Sequence, residues 1–314
     1  MTPTLVQRND PYRSSADPTP DTAPAAGPDA PPERTGPRAR DWAEIQERML
    51  VPLYEAVYAR LGVGPGTRLL GLGCGSGLAL LLAAARGAAV AGTDPDRHRL
   101  ALARERLARL AGQRRAEPRD AVRLGDASPA GVRDPEDPPF TLVTAFDLAI
   151  PATPGAPGPA SHVAALREAA AHTAPGGAVV LAGWGPPERC ATSGVLKVAA
   201  RLADPTHAPA RWRPGGRDDL ELLAQRAGLR PDGSGRVACP FGYADVRSAV
   251  RGLLSTGFFD PAERATDPTQ VRKEIAEALH AYRRPDGTVW MPNVFRYVIG
   301  RVEPVNGLSA GCGR

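Results

Sequence analysis

The stretch Leu69-Leu70-Gly71-Leu72-Gly73-Cys74-Gly75-Ser76-Gly77-Leu78 limits what this chain can fold into more than any other. An apolar, strand-like segment enters it and an Ala/Leu-rich, helix-like segment leaves it. Glycines at such a corner let the backbone turn sharply and approach a ligand with no side chain between them. The helix that follows points its free N–H groups and positive dipole end at whatever sits in the turn. A strand, glycine loop and helix in this order form the first βα corner of an open α/β sheet, where a small-molecule cofactor binds. The spacing narrows the choice. A dinucleotide fingerprint needs Gly-x-Gly-x-x-Gly, or Ala in the last place. Counting from Gly71, Gly73 or Gly75 puts Ser76, Leu78 or Leu80 there, so none fits. The glycines instead recur at every second residue.

The rest of the chain extends the α/β reading. Arg68–Leu72 reads as a first strand, Leu78–Arg86 as a buried helix closed by Gly87, and Ala88–Gly92 as a second strand. An amphipathic helix follows over 96–110, with Leu100, Leu107 and Leu110 facing inward. Short strands follow at 121–124, 140–145 and 178–182, with a helix over 161–172 between the last two. Alternating strands and helices predict a doubly wound, mostly parallel sheet with helices on both faces. Later segments read as helices near 218–227, 244–255 and 269–282, and as strands near 236–241 and 294–301. At the start, Ile45, Met49, Leu53 and Val57 recur every four residues and predict one helix, kinked at Pro52 and capped by Asp41 with Glu44. Residues 1–38 are rich in Pro, Ala, Asp and Thr and lack periodic apolar residues, which predicts a disordered tail.

Composition removes several function classes. The net charge of +5 and pI near 9.3 invite nucleic acid as a partner. The charge is nearly all arginine, however, and it is interspersed with acids, as in Arg104-Glu105-Arg106, the pattern of solvated helix faces. We therefore expect no nucleic-acid partner. No apolar run approaches a membrane span and no secretory signal is visible, so the expected location is cytoplasmic, with no membrane partner. The four cysteines form no Cys-x-x-Cys pair or His/Cys cluster, so no metal is expected.

Four positions gather around the glycine corner. Asp94 ends the second strand, where a carboxylate accepts hydrogen bonds from both ribose hydroxyls of an adenosine; a plain helix-start acid is the alternative, and Asp96 already supplies one. Gly125-Asp126-Ala127 follows the third strand, where Asp126 either accepts from an adenine amino group or is an ordinary turn residue. Ala145 ends the fourth strand on the carboxyl edge. Asp147 lies just beyond it and is the candidate general base, with a loop cap as its alternative. His162 and His207 are weaker candidates for the same role.

These motifs together resemble the class I S-adenosylmethionine-dependent methyltransferases. Gly73-x-Gly75-x-Gly77 resembles their motif I, and "VAGTDPDRHRLALARERL" is similar to their second strand and helix. "LREAAAHTAPGGAVVLAGWGPPE", "LLAQRAGLRP" and "RRPDGTVWMPNVFRYVIGR" are similar to later segments of the subgroup of ubiquinone/menaquinone-type and natural-product enzymes. The resemblance implies a Rossmann-like domain over 39–302 with a C-terminal antiparallel strand, a substrate-covering insert at about 186–290, and a flexible tail at 303–314. It implies S-adenosyl-L-methionine as cofactor, held by Gly71, Gly73, Gly75, Gly77, Asp94, Asp126, Ala127 and Ala145. The implied activity is methylation of a small-molecule acceptor, with Trp184 and Tyr243 as candidate substrate contacts. One departure stands out: the family usually carries Asp or Glu where this chain has Gly71. That leaves a non-catalytic cofactor-binding module as an alternative, and a nucleotide-dependent oxidoreductase as a more distant one.

Overall fold

A computed structural model describes residues 35–114, 122–126, 128–146, 159–203, 216 and 218–303. Its main sheet has seven strands in the order β3-β2-β1-β4-β5-β9-β6. These are β1 (Arg68–Leu72), β2 (Ala89–Thr93), β3 (Arg123–Gly125), β4 (Phe140–Ala145), β5 (Thr173–Trp184), β6 (Leu229–Ala238) and β9 (Val294–Val302). β1 pairs in parallel with β2 and β4, as β2 does with β3 and β4 with β5. β9 alone runs antiparallel, inserted between β5 and β6. This is a doubly wound, Rossmann-like sheet with an antiparallel C-terminal strand, as the alternation predicted. A separate ribbon pairs β7 (Phe241–Tyr243) with β8 (Val289–Met291).

Helices cover both faces because the central strands are apolar on both sides. Leu69, Leu70, Val143, Val179, Val180 and Leu181 are all fully buried, as a parallel strand between two helical layers requires. They divide between two apolar clusters, one on each face of the sheet. α2 (Val51–Leu61), α3 (Leu78–Ala85) and α4 (Arg97–Arg114) pack together on one side, and α5 (Pro159–Ala171) and α7 (Asp219–Arg226) on the other. The topology reverses at β1 and β4, which opens a crevice at their carboxyl ends.

Several expectations change in detail. The helical region opens at Thr35, so residues 35–38 belong to α1 (Thr35–Asp41) and not to a tail. The single helix kinked at Pro52 is three pieces: a π turn over Trp42–Gln46, a 3-10 turn over Glu47–Leu50, and then α2. Pro52 sits in the first turn of α2, where its missing N–H is harmless, so the chain restarts there. Asp41 is itself helical and makes no cap; its carboxylate pairs with Arg251 instead of forming a capping box with Glu44. Residues 174–177 stay within β5 as an irregularity, where the β4 pairing jumps from Thr173 to Ala178.

The region 186–290 is not one covering insert. α7 and β6 return from it to the main sheet. The remainder comprises α6 (Thr192–Leu202), the β7/β8 ribbon, α8 (Val246–Ser255), α9 (Asp260–Ala265) and α10 (Pro268–Ala278). α8 packs against the N-terminal turns, and Tyr243 donates to Gln46 there at 2.9 Å. No helix among the described residues is long and apolar enough to cross a membrane.

Leu53 joins the N-terminal helices to this core with no exposed surface. Leu53→Ala should therefore cost about 2–5 kcal/mol of stability, read as a lower urea midpoint with an unchanged slope.

Candidate functional site

Backbone geometry shapes the corner after β1. Gly73, Gly75 and Gly77 adopt φ of 63°, 57° and 78°, a left-handed conformation that side chains resist. The alternation of glycines is thus a run of left-handed turns separated by Cys74 and Ser76. Cys74 N–H donates to Thr93 O at 2.9 Å, tying the loop to the end of β2.

Asp94 completes that tie. Its Oδ2 accepts from Gly75 N–H at 2.8 Å, and its Oδ1 accepts from Asp96 N–H at 2.9 Å. Asp96 in turn accepts from His98 and Arg99 N–H and caps α4, as expected. Asp94 is only 3% exposed, and burial pushes its carboxyl up, with Arg99 and the two backbone bonds opposing. The side chain placed by sequence at a sugar subsite thus holds the loop itself in this structure.

A cleft, open to solvent at its mouth, lies over the loop. Gly71, Gly73, Gly75 and Thr144 line its floor, Phe146 stands at the end of β4, and Trp42, Glu47, Leu50 and Tyr54 come from the N-terminal segment. Tyr54 packs on Phe146 with ring centroids 4.9 Å apart. The N-terminal contribution was not visible in the sequence, because the four-residue apolar stripe marks the core-facing side and Glu47 lies off it.

Glu47 is 2% exposed. Its carboxylate accepts from the Ser76 hydroxyl, from Arg106 Nη1 at 2.8 Å, and from Leu78 N–H at 3.3 Å in the first turn of α3. Desolvation pushes this carboxyl up, and Ser76 and Arg106 oppose the shift. Arg106 also donates to Ser76 O at 2.9 Å and to Ala43 O at 3.3 Å, joining α4, the loop and the N-terminal turns. Trp42 lies beneath the Arg99 guanidinium, 4.3 Å from its ring centroid. The Trp42 indole N–H is buried and has no acceptor among the described residues.

Other expected residues fall into distinct places. At Gly71, where the acid is missing, a Cβ would come 3.0 Å from Leu80 Cδ2 and 3.3 Å from Cys74 Cβ, so Leu80 fills the space. A Cβ at Gly77 would lie 2.8 Å from Ala103 Cβ, so this glycine serves the contact of α3 with α4. Asp126 is exposed just past β3, and Ala145 is buried at the end of β4. Trp184 ends β5 among Phe241, Phe258 and Phe295, 4.5 Å from the last ring. Tyr243 is 2% exposed with its hydroxyl given to Gln46, so it packs behind the N-terminal segment and does not line the cleft. Asp147, Ala127 and His207 lie outside the described residues. No cluster of metal-binding side chains occurs among the described residues.

A family model described as "Methyltransferase domain" matches residues 38–232, well over half of the chain. No curated protein sequence matches. Among solved structures, the chain is similar to YjhP from E. coli (20% identity, 84% of this chain and 99% of that one, TM-score 0.48). It is also similar to geranyl diphosphate C-methyltransferase from Streptomyces coelicolor A3(2) (16% identity, 86% and 85%, TM-score 0.45).

Two outcomes test this geometry. Gly77→Ala should lose about 1–3 kcal/mol of stability from the combined strain and crowding, read by urea unfolding. Burial pushes the Cys74 thiol far up and the Cys239 thiol up to about 12. The reactive thiolate is therefore suppressed at both. Iodoacetamide at pH 8 should leave both unlabelled in the native protein, by mass spectrometry, and label them after unfolding.

Proposed function

Because the chain belongs to the methyltransferase-domain family, we propose that it moves a methyl group from S-adenosylmethionine to a small-molecule acceptor. The observation that carries this reading is the left-handed glycine loop opening into a cleft at the β1/β4 switch point. A bare backbone there admits the thioether and amino-acid portion of the donor. The expected acid–sugar contact then falls to Asp94. It is 3% exposed, so a sugar reaches it only when neighbouring side chains give way. Asp126, exposed past β3, is the candidate partner of the adenine edge, with Ala127 beside it.

The chemistry asks little of side chains. The acceptor atom attacks the methyl carbon as the carbon–sulfur bond breaks, and the sulfur keeps the electron pair, giving S-adenosylhomocysteine. The sulfonium is already a good leaving group, so the protein mainly aligns the two reactants, an effect worth roughly 7–11 kcal/mol in favourable cases. A base is needed only if the acceptor must shed a proton. Asp147 remains the first candidate by position. His162, in the first turn of α5, is a second: burial lowers its pKa, which favours the neutral imidazole that a base requires.

The aromatic pair Tyr54–Phe146 in the cleft, with Trp184 at the end of β5, favours a planar or polyketide-like acceptor of the kind that quinone and natural-product pathways supply. A non-catalytic binding module is the second reading, favoured by the packed-over Gly71. Isothermal titration calorimetry and an assay for S-adenosylhomocysteine release separate the two. Wild type should bind the donor, and Asp94→Ala should bind it at least about tenfold more weakly. Turnover with quinol or phenolic acceptors supports the enzyme, and binding without turnover across such a panel supports the module. Absence of donor binding to a folded wild type overturns both.

A further inference from the structure

Two polar groups converge on the loop from the N-terminal segment. Measured from an ideal Cβ on Gly75, Glu47 Oε1 and Trp42 Nε1 each lie 3.0 Å away. Both therefore approach the bare α-carbon of the middle glycine, and both line the cleft. Trp42 is 4% exposed and its N–H has no acceptor among the described residues. A buried donor without a partner is costly, and a ligand acceptor would relieve it. Glu47 Oε2 is taken by Ser76 and Arg106, whereas Oε1 has only a long bond to Leu78 N–H. A carboxylate offers about four acceptor sites, so Oε1 has room for another donor.

The chain also lacks the acid at position 71, and Leu80 fills the space such an acid would need. Among the described residues the cleft thus has one carboxylate, supplied from outside the strand.

We propose that Glu47 and Trp42 bind the amino-acid end of the cofactor, Glu47 Oε1 accepting from its ammonium group and the Trp42 N–H donating to its carboxylate. The assignment rests on the reading of the cleft as an adenosyl-cofactor site. An ammonium and a carboxylate on one carbon call for an acceptor and a donor converging on one point, and these two side chains both converge on Gly75. The irregular π and 3-10 turns over 42–50 place both on the side facing the loop, where Trp42 and Glu47 are five residues apart. Arg106 holds Glu47 in place and bonds Ala43 O, so it acts as a positioning residue.

Two ligands isolate this contact. S-adenosylhomocysteine carries the amino-acid end; 5′-methylthioadenosine keeps the nucleoside and sulfur but lacks both charged groups. Calorimetry on the full chain should show Glu47→Gln weakening S-adenosylhomocysteine about tenfold or more. Trp42→Phe, which keeps the ring and removes only the N–H, should weaken it several-fold. Each variant should bind 5′-methylthioadenosine within about twofold of wild type. Circular dichroism and thermal melting establish that the variants are folded, and Trp42→Phe carries the test if Glu47→Gln is not. Equal weakening of both ligands would mean that the segment merely shapes the loop, and would overturn the proposal, as would no change for either. If wild type binds neither ligand, the cofactor reading of the cleft fails and this assignment with it.

Discussion

One carboxylate connects the two halves of the glycine corner. Asp94 takes the N–H of Gly75 from the loop after β1 and the N–H of Asp96 from the turn after β2. Hydrogen bonds from two backbone donors to a buried carboxylate are charge-assisted and directional. They fix the loop at its middle glycine, and Asp96 carries the constraint into the first turn of α4. With the Cys74–Thr93 bond, this tie holds three left-handed glycines in five residues, and glycine loses more backbone freedom on ordering than any other residue. The loop's shape, the seat of α4 and the floor of the cleft all follow from this clamp.

A second tie fastens the roof. The Glu47–Ser76–Arg106 group links the N-terminal turns, the loop and α4 in a site where little water reaches. Removing one partner from such a group leaves a buried charge uncompensated, which is why these interactions tend to succeed or fail together. The consequence is architectural. The cleft is completed by a segment that precedes the sheet in sequence, and α8 packs behind that segment with Tyr243 bonded to Gln46.

The sheet was legible from sequence because its signals are local. Apolar runs of strand length, a glycine loop and the amphipathic helix over Arg97–Arg114 each announce themselves within a dozen residues. The capping role of Asp96 was legible for the same reason. The spacing makes Gly77 a candidate cofactor contact; that its neighbour Ala103 comes from another helix is a fact no local pattern contains. Tyr243 was legible as an aromatic of the core or of the pocket wall, and its burial and its hydrogen bond to Gln46 depend on a segment almost two hundred residues away. Glu47 was not legible at all. An acid in an amphipathic segment normally faces water, and only the path of the chain over the loop turns this one inward. The missing acid at Gly71 was visible as an absence, and Leu80 as its replacement emerged only from packing.

A crystal structure of the protein with S-adenosylhomocysteine bound is the most direct test of the account. It should show the thioether over Gly73 and Gly75, the sugar against Asp94, and the amino-acid end beneath Trp42 and Glu47. Ligand density elsewhere on the molecule, with this loop unchanged and empty at saturating concentration, would contradict it.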